Sequence, residues 1–203
     1  MLISRYANAS TRIAARLSAI QWWCLAIPLL VIRQLTQNWL DGLYTLSQFP
    51  VPFFVGQTTF NAAELKGYYA VLLELGTFDR YIWVQIADYA FMVTVFISFF
   101  ALMAAIYRSL PKHQALQTFA RSMLVIAPLA AGFDAIENAV SFVMLANPTD
   151  FANWLVYPYS SFAVIKFAIF VISYLWVLVA LVIMLCAGLM RFFSTNRTVS
   201  VTK

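Results

Sequence analysis

Residues 127–145, APLAAGFDAIENAVSFVML, carry Asp134, Glu137 and Asn138 inside an otherwise apolar run. At about 100° per residue these three share one arc of a helix with Ser141, and Ala127 and Ala130 continue the arc toward the helix start. The opposite face is Leu129, Phe133, Ile136, Val140 and Val143. Two carboxyls and an amide so arranged can hold or pass a proton, pair with an ammonium, or bind a hard cation. Ionisable groups in hydrocarbon cost at least ~2.5–3.5 kcal/mol each, so a functional role with a partner is the default expectation.

Partners for them exist elsewhere in the chain. Asp88 lies about two turns into another apolar segment, with Gln85 and Met92 on its face. Lys166 lies one turn into a third, beside Phe170, Ser173 and Tyr174, and Arg33 stands in the outer third of the first. Arg33 has two readings, snorkelling to the headgroups or pairing with carboxylates of other helices. Asp88, Asp134 and Glu137 are three acids against two bases, Arg33 and Lys166. Either one carboxyl carries a proton and serves as general acid or proton carrier, or a cationic ligand completes the balance. Interhelical glue is the structural alternative.

The elements that position these groups follow from composition. Of 203 residues 63% are hydrophobic and 10% charged, the profile of a polytopic membrane protein. The fold expected is all-α, a four-transmembrane-helix bundle in one domain over residues 1–203, with spans at about 20–40, 81–107, 122–146 and 162–190. The net charge of +5 is a topology signal rather than a nucleic-acid one. Arg5, Arg12, Arg16, Arg108, Lys112, Arg121, Arg191, Arg197 and Lys203 flank the spans on one side, which places both termini in the cytoplasm. Equal depth of the five charged residues then follows from membrane thickness and segment direction.

Ser10 or Thr11 is expected to cap a short amphipathic lead-in over residues 10–19, with Ile13, Leu17 and Ile20 on one face, running into an uncleaved first span. Residues 41–79 form an extracytoplasmic excursion. Its first part, QFPVPFFVGQTTF, is expected to be extended. Asn61 and Glu64 are spaced as a capping box for a loop helix at about 62–75, ending at Gly76 with Leu65, Tyr69, Leu72 and Leu73 as its apolar face. That helix is a lid or a packed surface element. Cys24 and Cys186 form no CxxC motif, and His113 sits in a basic loop without a partner, so no metal site and no cofactor is expected.

The segments LGTFDRYIWVQIADYAF and FDAIENAV resemble a group of functionally uncharacterised bacterial four-span membrane proteins. Leu75, Gly76, Arg80, Asp88, Phe91, Asp134, Glu137 and Asn138 match their pattern, whose most specific part is Asp-x-x-Glu-Asn within the third span. Asp79 replaces a usual glycine, Trp83 a tyrosine and Met92 a proline. The resemblance implies a fold and a bacterial inner-membrane location, and no activity. In architecture the chain is also similar to the EXPERA superfamily of sterol isomerases and sigma-type receptors. That similarity implies a lipid-accessible cavity, while the isomerase histidine-plus-glutamate pair has no counterpart here.

The function expected is binding of an amphipathic, lipid- or isoprenoid-like ligand in an outer-leaflet cavity. Phe91, Phe170 and Tyr174 would hold its apolar body. Asp88, Asp134, Glu137, Asn138, Lys166, Arg33 and Gln85 would surround its polar end, and an enzyme would use the same carboxyls as proton donor and acceptor. The alternatives are an accessory subunit with the charges as glue, and a proton- or cation-coupled transporter acting as an oligomer. The partners expected are membrane lipid, that ligand, and a second copy or another membrane subunit, with no nucleic acid.

Overall fold

A helix that enters a membrane must satisfy its own backbone, and this chain does so four times over. The computed structural model describes the backbone of residues 2–201 and the side chains of residues 5–193. The helices are α1 (Leu2–Ala15), α2 (Ala19–Ser47), α3 (Phe53–Gln57), α4 (Ala62–Glu74), α5 (Phe78–Ser109), α6 (Gln114–Leu145) and α7 (Val156–Val201), with a 3-10 turn at Asn153–Leu155 before α7. Among the described residues there is no strand. Ala19–Ser47, Phe78–Ser109, Gln114–Leu145 and Asn153–Phe193 are each long and apolar enough to cross a membrane. The shortest has 29 residues, against the ~20 that a hydrocarbon core requires. The chain is a multi-pass membrane protein. Arg197 and Lys203, counted with the basic flanks, lie outside the described side chains.

The amino-terminal segment departs from expectation. Ser10 is buried within α1, and the Thr11 hydroxyl donates to the Ala7 carbonyl, so neither caps a helix. The cap is Ser18. Its hydroxyl accepts from the Gln21 amide while the Gln21 side chain accepts from the Ser18 amide, a capping box that separates α1 from α2. The Trp22 indole closes the junction by donating to Ala14 O at 2.9 Å. Of the expected apolar face, Leu17 packs against the core just beyond α1, while Ile13 and Ile20 stay exposed. The face that α1 itself buries is Ser10 and Ala14, small residues that let it approach α5 and α6.

Order within the bundle runs α2, α5, α6, α7, neighbours antiparallel. The Trp23 indole at the start of α2 donates to Ser109 Oγ at the end of α5. Helix α5 is the centre. It packs on α2 and α6, and its second half buries Val95, Phe99 and residues 101–106 against Met123, Leu124, Ala127 and Ala131 of α6, while Phe96 and Ile97 stay exposed. A second apolar cluster lies at the other end, where Leu65, Tyr69 and Leu72 of α4 meet Tyr81, Met144, Phe151 and Tyr159. Leu73, expected on that face, is exposed. Asn61 caps α4 by accepting from the Ala63 and Glu64 amides, and Gly76 follows it at φ +66, a left-handed turn that suits glycine. The reciprocal half of the expected capping box is replaced, because Glu64 accepts from the Asn61 side-chain amide and from Thr59 Oγ1.

The segment expected to be extended between α2 and α4 instead turns back onto the bundle. Pro52, with φ −54, leads into α3, and the Tyr44 hydroxyl donates to Val51 O at 2.8 Å. The Phe49 ring stacks on Tyr81 with centroids 4.8 Å apart. Gly56 lies so close beneath Phe49 that an added Cβ would meet its ring at 3.0 Å. Burial of these rings outweighs the extended bias of two prolines.

Candidate functional site

The helical arc of α6 is oriented as its sequence requires. Ala127, Ala130, Asp134, Glu137, Asn138 and Ser141 are buried, while Leu129, Ile136 and Val143 are exposed. Apolar burial on the rest of α5 and α6 holds the arc inward.

Lys166 reaches this arc from α7. Its Nζ lies 2.7 Å from Asp134 Oδ1 and 2.5 Å from Glu137 Oε2, and it donates to Gln57 Oε1 of α3 at 3.3 Å. An ammonium has three hydrogens, and three oxygens surround this one. Glu137 is fully buried and Lys166 and Asp134 are each 3% exposed. The group therefore ties α6, α7 and α3 together at one point.

Asp88 lies on the other side of Asn138. The Asn138 amide donates to Asp88 Oδ2 at 3.0 Å and to the Gln85 carbonyl at 3.2 Å. Asp88 has no ion-pair partner among the described residues. Nor does Arg33, whose Nη1 donates to the Tyr174 hydroxyl at 3.0 Å and whose guanidinium lies 5.7 Å from the Phe99 ring centroid. Arg33 forms no pair with a carboxylate among the described residues, so one of its two expected roles is not observed. It is half-buried, with Nε wholly covered, and faces inward.

It faces a cavity of about 220 Å³. Arg33, Gln85, Asp88, Asp134, Lys166 and Tyr174 all line it, so most of the polar residues singled out by sequence surround one space. Glu137 and Asn138 stand behind them in the wall. The aromatic candidates Phe91, Phe170 and Tyr174 line it as well. The Gln85 side chain is 6% exposed, and its Oε1 accepts no hydrogen bond.

Several lining residues escape sequence reasoning. Tyr44 and Asp41 close the cavity from the end of α2, and Phe49, Phe53 and Gln57 from the loop that folds back. The available signal was the aromatic content of QFPVPFFVGQTTF, which is unusual for an extended extracytoplasmic segment. Above Glu137 and Ser141 sits Tyr69 of α4, fully buried, which makes α4 a packed cap. Burial pushes the Tyr69 phenol above its ordinary value, and nearby Glu137 adds to the shift, so the group is a neutral hydrogen-bond donor at physiological pH.

Chemically, the cavity offers a carboxylate, a guanidinium and an amide oxygen within aromatic walls. Among the described residues no three acidic, histidine or cysteine side chains converge as a metal-holding group. Cys24, Cys186 and His113 are exposed and line none of it. No family model, no curated protein and no solved structure matches the chain.

Proposed function

We propose that this chain is a multi-pass protein of the bacterial inner membrane that binds an amphipathic, lipid- or isoprenoid-like ligand. In this reading both termini are cytoplasmic, and the cavity lies in the outer half of the bilayer. Asp88, ten residues from the start of α5, and Lys166, ten from the start of α7, lie at equal depths of about 15 Å along their helices. The basic flanks cluster at the opposite end, as the positive-inside rule requires of a cytoplasmic face.

The observation that carries the reading is the composition of one wall: Asp88 and Gln85 open to the same space as Phe91, Phe170 and Tyr174. Polar groups there fix the head of a ligand and rings cover its apolar part. Burying a carboxylate without a cation is costly, and a bound ligand offsets that cost.

A second reading has an observation of its own. Lys166 hydrogen-bonds Asp134 and Gln57 and ion-pairs with Glu137, which suits a fastening between helices and an accessory role for the protein. It applies to Asp134 and Glu137 and leaves Asp88 unexplained. Cation transport has less support, since the second half of α5, residues 95–106, is apolar apart from Ser98.

The test is thermal unfolding of the detergent-purified protein with and without native lipid extract. Extract is expected to raise the midpoint of the wild type and not that of Asp88→Asn. Absence of any shift in the wild type would overturn the ligand-binding reading in favour of fastening.

A further inference from the structure

Five charged side chains face the cavity: Arg33, Asp41, Asp88, Asp134 and Lys166. Asp134 and Lys166 satisfy each other, with Glu137 behind them. Asp41 is exposed at the rim and accepts from Gln37 Nε2 at 2.7 Å. What remains is one carboxyl on α5 and one guanidinium on α2, Asp88 and Arg33. They line the same space and do not lie within ion-pair distance of each other. Each is held by a neutral partner, Asn138 for Asp88 and Tyr174 for Arg33. Gln85 Oε1, buried on the same helix turn as Asp88, is a further acceptor with no donor.

A purely cationic ligand would satisfy Asp88 and leave Arg33 facing an apolar wall. An anionic one would do the reverse, and a neutral one would serve neither. We propose that the polar end of the ligand is zwitterionic, an ammonium beside a phosphate or carboxylate, with the ammonium on Asp88 and Gln85 and the acid on Arg33. This deepens the ligand-binding reading above and rests on it.

Size agrees with a headgroup. The cavity, about 220 Å³, exceeds the ~150 Å³ that holds a benzene ring and falls short of the ~300–1,000 Å³ typical of drug-sized ligands. A headgroup of the phosphoethanolamine kind fits these limits. The chains of a lipid would then leave past Tyr174, which is 44% exposed at the rim.

The experiment uses the full chain in a neutral maltoside detergent, titrated with four probes followed by tryptophan fluorescence. These are lauroyl lysophosphatidylethanolamine, dodecylamine, dodecyl phosphate and free phosphoethanolamine. The lysolipid is expected to bind about tenfold or more tighter than either singly charged amphiphile. Arg33→Gln should bring it down to the level of dodecylamine, Asp88→Asn to that of dodecyl phosphate, and Arg33→Lys should keep the preference. Free phosphoethanolamine binding as tightly as the lysolipid would retain the zwitterion and make its source a soluble molecule. Weaker binding makes the source a lipid. If dodecylamine equals the lysolipid, the zwitterion is overturned while the carboxylate ligand site stands. If no probe binds but native extract still shifts the unfolding midpoint, the zwitterion falls alone. If extract shifts nothing either, both readings fall together. Should Asp88→Asn fail to fold, the wild-type panel and the two Arg33 variants still decide.

Discussion

Lys166 and Arg33 are both cations held among buried helices, and their surroundings are opposite in kind. Lys166 is paired: it lies against two carboxylates and donates to Asp134 and to the Gln57 amide oxygen. Arg33 is open: a phenol holds one nitrogen, an aromatic ring lies near its guanidinium, and a cavity lies in front of it. The acids divide the same way. Asp134 and Glu137 belong to the paired cluster, while Asp88 accepts from one amide and faces the open space. Five charges thus do two jobs, fastening and facing. Charge alone does not distinguish them; the presence of a counter-charge within ion-pair distance does.

That contrast is breakable by substitution. The largest effect is expected from Lys166→Met, which leaves two buried carboxylates without a cation and should cost about 3–5 kcal/mol in detergent unfolding. A loss under about 1 kcal/mol would mean that the cluster is not a fastening. Next, Gly56→Ala should cost about 1–3 kcal/mol by overpacking, because its Cβ meets the Phe49 ring. It should also weaken ligand binding, since α3 carries Gln57 beside the cavity. Neutralising the whole paired cluster, by adding Asp134→Asn and Glu137→Gln to Lys166→Met, should return stability to within about 2 kcal/mol of wild type. Failure to recover would show that hydrogen-bond geometry, not charge balance, holds the cluster. The smallest stability change belongs to Asp88→Asn, expected within about 1 kcal/mol of wild type or slightly above it, because it removes a charge that no cation balances. Its effect should be on ligand-induced stabilisation instead, measured in the same unfolding assay.

Much of the architecture is written in local pattern. Four apolar segments of sufficient length appear as four helices, and the buried arc of Asp134, Glu137, Asn138 and Ser141 follows from helical period. Asn61 and Gly76 likewise mark the ends of α4 because caps act over three or four residues. Misreadings arose where two local signals competed. Ser10 and Thr11 look like caps, yet the amphipathic pattern extends ahead of them and Ser18 with Gln21 makes the better box. Pro50 and Pro52 suggest an extended strap, yet Phe49 stacks on Tyr81 and Phe53 lies against Phe167, ring contacts that turn the segment back.

The partners of each charge were a different matter. Apolar context alone requires that Asp88, Asp134, Glu137, Arg33 and Lys166 be sheltered somewhere, since charged groups within apolar helices have few alternatives. It is the packing of the helices that gives Lys166 both acids of α6 and Gln57, 109 residues away, and turns Arg33 to Tyr174, 141 residues away. Helical period sets which residues share a face. Which faces meet, and how each helix is rotated against the next, depends on packing among side chains distant in the chain. That rotation leaves Asp88 and Arg33 facing a cavity in place of each other.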